Sequence, residues 1–388
     1  MPAKDERSRA VRLASDGERS ADTPSHLPGR GGAAVEGIPA SGRSRLGGRG
    51  VSIRDVAALA EVSPQTVSRV VRGQSNVREQ TARRVREAMD QLGYVPNRAA
   101  RALRSGTLGT IGVVGHQLSR TGEAHITEAV VAALREADRP VTLVDTPSSN
   151  PEDISRALEF LGQYVDGLIV LRLETPLAAL SSGRRNLPIV LSDFRPSVQY
   201  TAVGSDQAAG TRAAVSHLLE LGHETVHHIA GPTHSLQALA RERAWMETLW
   251  ETGRSVPPVF RGDWTPRSGY QLGQRIAENP DITAVYCAND EMALGLLRAL
   301  YEAGRRVPDD VSVIGFDNLV AEWMWPPLTT ISQDFAAVGR NLVSALLAVM
   351  EDPEGVQPQQ ILIPTQLIVR ESTAPPRTIG PSTLHRVL

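Results

Sequence analysis

The sequence predicts two fold classes in one chain: a small all-α helix-turn-helix head, and behind it a two-lobed α/β core built on parallel sheets. Three observations carry this. Residues 52–71 read as two short capped helices around a tight turn. From residue 109 onward, short apolar runs alternate with helical patterns. Charge divides near the same place: residues 51–108 hold 10 basic and 5 acidic residues, whereas residues 109–388 hold 22 and 32. A basic head on an acidic body is the pattern of a nucleic-acid-binding end joined to an end with another task.

The head is legible from its helix ends. Ser52 is an N-cap, and Asp55, three residues on, completes a capping box. Val56, Leu59 and Ala60 recur at helical spacing and give the first helix an apolar face. Glu61 and Val62 form the turn. Ser63 is a second N-cap, and Pro64 stands at the first helical position, where its missing N–H costs nothing. Val67, Val70 and Val71 form the buried stripe of the second helix, leaving Gln65, Thr66, Ser68 and Arg69 on the other face. A helix this short is stable only when packed on neighbours, so its polar face is left to enter a major groove. There Gln pairs with adenine and Arg with guanine, while Ser52, Ser63, Thr66 and Ser68 offer hydroxyls to phosphates or bases. Beyond a third amphipathic segment, Y-V-P-N-R-A-A-R-A-L-R reads as a short basic helix that orders only against something else.

D-V-A-A-L-A-E-V-S-P-Q-T-V-S-R-V and Y-V-P-N-R-A-A-R-A-L resemble the helix-turn-helix and the hinge helix of the lactose-repressor (LacI/GalR) family of bacterial transcription regulators. The likeness runs to about residue 373. It implies that Pro64, Gln65 and Arg69 read bases and that Asn76 contacts DNA at the start of the third helix. It also implies a hinge contributing Asn97, Arg98, Ala100 and Leu103, with Leu103 wedged into the minor groove from each of two subunits. Pro64 and Arg72 depart from the family's lactose-responsive branch, so that branch's operator does not carry over. The domains expected are a disordered arm (1–50), the helix-turn-helix domain (51–96), hinge helix and linker (97–108), a two-lobed ligand-binding and dimerisation domain (109–373) and a tail (374–388).

In the body, strands are expected at Thr110–Val114, Val141–Val144, Leu168–Leu171, Ile189–Leu191, Val226–Ala230, Ala284–Ala288 and Val311–Gly315. Helical spacing links Ile126, Val130 and Leu134, and then Ala214, Leu218 and Leu221, with Gly222 as a stop. Continuous apolar strands between helices imply parallel sheets covered on both faces, and a stretch this long exceeds one core. The resemblance implies two lobes like those of periplasmic binding proteins, with chain crossovers between them. Ligands of such sheets sit at the carboxyl ends of the strands. Asp193, Asn289 and Asp317 follow strands, Arg241 opens a helix, and Trp264 and Phe335 add flat apolar faces. Carboxylates, an amide and an arginine serve many hydroxyls, and an indole stacks on a sugar ring, so the set reads as a polyol or sugar pocket. Asp193 and Asn289 also read as helix caps, Trp264 equally as core, and Asp290 as a cap or inter-lobe contact. The family places effectors at the positions of Asp193, Arg241, Asn289 and Asp317, and G-D-W and Q-D-F resemble its lactose-responsive branch, implying a galactoside-like sugar.

Other chemistry finds little support. G-x-G-x-x-G and G-x-x-x-x-G-K-[ST] are absent. His227 and His228 fall on opposite faces of a strand and, with His223, make no metal set; no cofactor is expected. Asp206 has no partner carboxylate or nucleophile in sequence, so no enzyme is expected. Cys287, the single cysteine, reads as core. No apolar run suits a secretory signal or a membrane span, which fits a soluble cytoplasmic protein. The expectation is a homodimeric repressor on a near-palindromic operator in double-stranded DNA, released by a small sugar. A regulator whose ligand promotes DNA binding is the alternative; a sugar transport receptor would lack an export signal and would have no use for residues 52–104. Residues 374–388 contain three prolines and lack the leucine-rich tetramerisation helix of the family's long-form members.

Overall fold

The structure, a computed structural model, describes residues 51–71, 76–95, 107–148, 150–171, 187–193 and 199–377. The arm, Arg72, the hinge residues Asn97, Arg98, Ala100 and Leu103, and the last eleven residues lie outside these. The chain divides into two units, the first ending at Pro96 and the second beginning at Asn97.

The first unit holds helices α1 (Ile53–Leu59), α2 (Pro64–Val71) and α3 (Glu79–Leu92). Asp55 Oδ2 accepts from the Ser52 backbone N–H at 2.8 Å and from its hydroxyl at 2.7 Å. Ser63 caps α2, its Oγ accepting from the Thr66 N–H at 3.1 Å. Glu61 takes the tight turn at φ 51°. Gly93 ends α3 in the left-handed region at φ 60°, and the Tyr94 N–H returns to the Met89 carbonyl. Val56, Ala57, Ala60, Val67, Val85 and Ala88 form one small core. Leu59, expected inside, is 46% exposed, because Ala57 rather than Leu59 completes the inward stripe of this one short helix. Asn76 stands three residues ahead of α3 and not at its start.

The second unit has two lobes. Sheet one runs β11-β5-β4-β3-β1-β2 and all its pairings are parallel: β1 (Ile111–His116), β2 (Val141–Thr146), β3 (Gly167–Leu171), β4 (Ile189–Ser192), β5 (Thr201–Ser205) and β11 (Gln360–Ile363). α4 (Thr121–Glu136) and α10 (Phe335–Glu351) cover one face, and α5 (Pro151–Leu161) the other. Sheet two runs β12-β10-β9-β8-β6-β7: β6 (His227–Ala230), β7 (Phe260–Arg261), β8 (Ala284–Cys287), β9 (Ser312–Asp317), β10 (Thr329–Ser332) and β12 (Gln366–Ile368), with β12 antiparallel. α8 (Pro266–Ala277) and α9 (Asp290–Glu302) cover one face; α6 (Gln207–Glu220) and α7 (Leu236–Glu251) the other. Ile126, Val130, Leu134, Ala214 and Leu218 are buried as their spacing predicts, and Gly222 stops α6 at φ 101°.

The chain passes between lobes three times, at Asp206, at Gln333–Asp334 and at Pro364–Thr365. Asp206 and Asp334 cap the helices that follow. The Asp206 N–H donates to the Ile363 carbonyl at 2.9 Å, and Thr365 Oγ1 donates to the Asp206 carbonyl at 3.2 Å, so two crossovers are tied together.

Candidate functional site

In the head, Pro64 and Gln65 are exposed, and Thr66, Ser68 and Arg69 are half-buried around the one fully buried residue of α2, Val67. The polar face is therefore not consumed by the domain's own core. The Ser52 hydroxyl is already donated to Asp55, and Ser63 Oγ lies 2.9 Å from Thr66 Oγ1.

In the body, a cavity of about 280 Å³ opens between the lobes. Ser119–Glu123, at the start of α4, come from lobe one; Ser235, Gln237, Arg241, Asp263–Pro266, Asn289, Glu291 and Asp317 come from lobe two. Arg241 is its anchor, 2% exposed. Nε donates to Gln207 Oε1 at 2.8 Å, Nη1 donates to the Ala288 carbonyl, and Nη2 pairs with Asp317 Oδ1 at 3.3 Å. The guanidinium lies 3.6 Å from the Phe316 ring centroid and 5.7 Å from that of Trp264. Gln333 Nε2 donates to Asp317 Oδ1 at 2.6 Å, and Gln207 donates to Gln333 at 3.2 Å. Two of the three crossovers are thus wired to the wall of the cavity. Asp317 sits at φ 107° and Asn318 at φ 57°, conformations that L side chains rarely adopt and that cluster where a backbone is held for function.

Of the six pocket candidates, Arg241, Trp264, Asn289 and Asp317 meet in this cavity. Trp264 is both pocket and core: it packs against the lobe-two core and on Gly231, where a Cβ would come within 2.5 Å of the indole. Asn289 also has two duties. Its Oδ1 caps α9 through the Met292 N–H at 2.9 Å, and its Nδ2 donates to the Trp264 carbonyl at 3.0 Å. Asp193 stands apart, lining a neighbouring space of about 20 Å³ with Gln207, Gln237 and Gln333. Phe335 does not join them. It is buried in the lobe-one core at the first turn of α10, stacked on His125 at 5.7 Å, because an apolar residue after the cap Asp334 is needed to seat that helix.

Asp290 is neither cap nor inter-lobe contact. It accepts from Thr330 Oγ1 at 2.5 Å and from the Leu319 N–H at 3.0 Å, both within lobe two. Burial and the nearby negative charge of Asp317 push its carboxyl up to about 7. His223 and His228 are held by packing within lobe two: His223 bonds Thr283, Ser312 and the Ala374 carbonyl, and His228 stacks on Tyr286 at 4.7 Å, burial pushing it down to about 4. Cys287 is buried in β8. The residue reading missed Gln207, Gln333, Thr121 and Glu291. The N-D-E run at the start of α9 hinted at Glu291, whereas nothing local marks the two glutamines.

A helix-turn-helix with an open polar face, in one chain with a two-lobed sensor and a polar cleft, defines the ligand-responsive DNA-binding regulators. Residues 52–97 match the bacterial regulatory proteins of the lacI family, and residues 215–373 match a periplasmic binding protein-like domain. The lactose operon repressor of Escherichia coli K12 is 35% identical over 338 residues, covering 84% of this chain and 92% of the relative. The lac repressor dimer bound to operator and the anti-inducer ONPF superimposes with a TM-score of 0.75 at 34% identity, over 84% of this chain and 100% of that one. The transcriptional regulator CelR in complex with cellobiose gives 0.62 at 32% identity, over 83% and 99%. The chain belongs to the lacI family of bacterial regulatory proteins. Among the described residues, no helix is long and apolar enough to cross a membrane.

Proposed function

We propose that this protein is a homodimeric repressor, not an enzyme, that binds a near-palindromic operator and is released when an uncharged sugar occupies the inter-lobe cavity. Gln65 and Arg69 read base edges, Pro64 lets the start of α2 approach the groove, and Ser52, Ser63, Thr66, Ser68 and Asn76 serve the phosphates. Asn97, Arg98, Ala100 and Leu103 form the hinge contact. Arg241, Asn289 and Asp317 bond the hydroxyls of the effector, and Trp264 stacks on its ring. A protein acting on chromosomal DNA works in the cytoplasm.

One observation carries the reading: Arg241 and Asp317 stand in the cavity wall and bond the crossover residues Gln207 and Gln333, so a ligand there acts directly on the joints between lobes. An effector that prefers one arrangement of the lobes shifts the population, and operator affinity falls by the differential affinity. Galactosides are the first sugars to try, from the likeness to the lactose operon repressor; cellobiose follows from the CelR complex. The test is a gel shift of the full chain on the DNA upstream of its own gene, with and without a panel of mono- and disaccharides. A retarded band that a sugar abolishes supports the proposal, and no band at low salt refutes it. A band appearing only with ligand favours the corepressor alternative.

A further inference from the structure

We propose that Glu291 makes the cleft selective for uncharged, hydroxyl-rich ligands by standing as the chain's own anion where a ligand's phosphate or carboxylate would be held. The inference rests on the cleft being the effector site. Four helices begin at its wall: α4, α7, α8 and α9. Helix starts carry unpaired N–H groups and the positive end of the dipole, so they invite anions. In three of them one of these N–H groups is already taken by the cap residue. Ser235 Oγ accepts from Ala238 N–H at 3.4 Å, Thr265 Oγ1 from Ser268 N–H at 3.2 Å, and Asn289 Oδ1 from Met292 N–H at 2.9 Å. α4 differs, since its N-cap Arg120 makes no capping bond. Its first residue is met from the opposite lobe instead: Thr121 Oγ1 donates to Glu291 Oε1 at 2.5 Å. Glu291 Oε2 takes Asn289 Nδ2 at 3.4 Å, which fixes the carboxylate between the lobes.

The charge of the wall acts in the same direction. Glu123, Asp263, Glu291 and Asp317 are four carboxylates against two guanidiniums, Arg120 and Arg241. Arg241 already spends three of its five N–H donors on Gln207, Ala288 and Asp317, and Asp317 balances its charge, so what it has left suits a neutral hydroxyl rather than a ligand anion. A sugar hydroxyl, by contrast, donates to carboxylates at no electrostatic cost, while a second anion in a confined acidic cleft is repelled.

Isothermal titration and thermal shift on the full chain test this with three probes: neutral mono- and disaccharides, the same sugars as 6-phosphates, and inorganic phosphate. In the unaltered protein, phosphorylation of a bound sugar lowers its affinity at least about tenfold, and inorganic phosphate gives no saturable shift. Glu291→Gln keeps an acceptor for Thr121 and removes the charge. It gains a saturable phosphate response, and adding Thr121→Val removes that gain. Saturable phosphate binding by the unaltered protein, or no phosphate response in Glu291→Gln, overturns the proposal. If phosphate behaves as expected and no neutral sugar binds, the anion exclusion stands and the sugar reading of the cleft falls.

Discussion

Asp290 is a carboxyl group 2% exposed, with Asp317 as a negative neighbour and its oxygens committed to Thr330 and Leu319. Its pKa, raised from 3.8 to about 7, means that the folded chain holds a proton that the unfolded chain has lost. Between about pH 4 and 7 stability therefore falls as pH rises, by about 1.4 kcal/mol per unit, and the loss is complete about one unit above the folded pKa. Asp290→Asn imitates the protonated group, its oxygen taking the Leu319 N–H and its amide meeting Thr330. Thermal melts should show a Tm advantage of the variant that grows from pH 5 to 8 and then levels off; a constant difference would mean that the carboxyl is ionised throughout. Asp317 calls for a conservative change too, because removing it leaves Arg241 buried and unpaired, at about 3–5 kcal/mol. Asp317→Asn keeps the acceptor at Oδ1 and deletes the charge. It should lower effector affinity at least tenfold by titration while operator affinity in a gel shift holds, and loss of both would assign the residue to structure.

α2 holds a polar face proposed for recognition and a packed face along its eight residues. Gln65→Ala and Arg69→Ala should each weaken specific operator binding by about 1–3 kcal/mol with little change in Tm. Val67→Ala, in the head's core, should cost about 2 kcal/mol of folding stability. Fluorescence anisotropy with matched and scrambled duplexes, alongside melts, checks the division. Equal losses on both duplexes would make Gln65 and Arg69 phosphate ligands rather than base readers. This element was legible in sequence because its signals are local: a serine cap, a proline at the first position, valines at helical spacing. So were seven of the strands, to within one or two residues at each end, since most of them are largely apolar runs. Thr201–Ser205, Thr329–Ser332, Gln360–Ile363 and Gln366–Ile368 went unseen, being short and mixing in Thr, Ser and Gln; two-residue Phe260–Arg261 carries no period at all. The site divides in the same way. Asp317 and Asn289 announced themselves by closing strands, whereas Gln207 and Gln333 matter only because crossovers 126 residues apart meet.

Two properties belong to the whole molecule, its assembly and its coupling. Trp323, which ends the 3-10 turn Ala321–Trp323, and Trp325 just beyond it are 83% and 88% exposed, a large apolar area for a monomer to leave in water. Trp325→Asp should shift sedimentation from dimer to monomer and lower operator affinity steeply, since each half-site would bind alone; an unchanged dimer would place the interface elsewhere. Coupling gives the sharper test because it is reciprocal. If an effector lowers operator affinity by some factor, operator must lower effector affinity by the same factor, whatever path joins the sites. Measuring effector binding to free protein and to protein saturated with operator duplex should therefore return the ratio obtained from operator binding with and without effector. A larger effector affinity on DNA would reverse the sign and make the ligand a corepressor. Equal affinities would separate cleft from DNA altogether. In Gln333→Ala, where a crossover loses its bond to Asp317, the ratio should shrink more than the effector affinity does, because the bond joins the wall of the cavity to the joint between lobes.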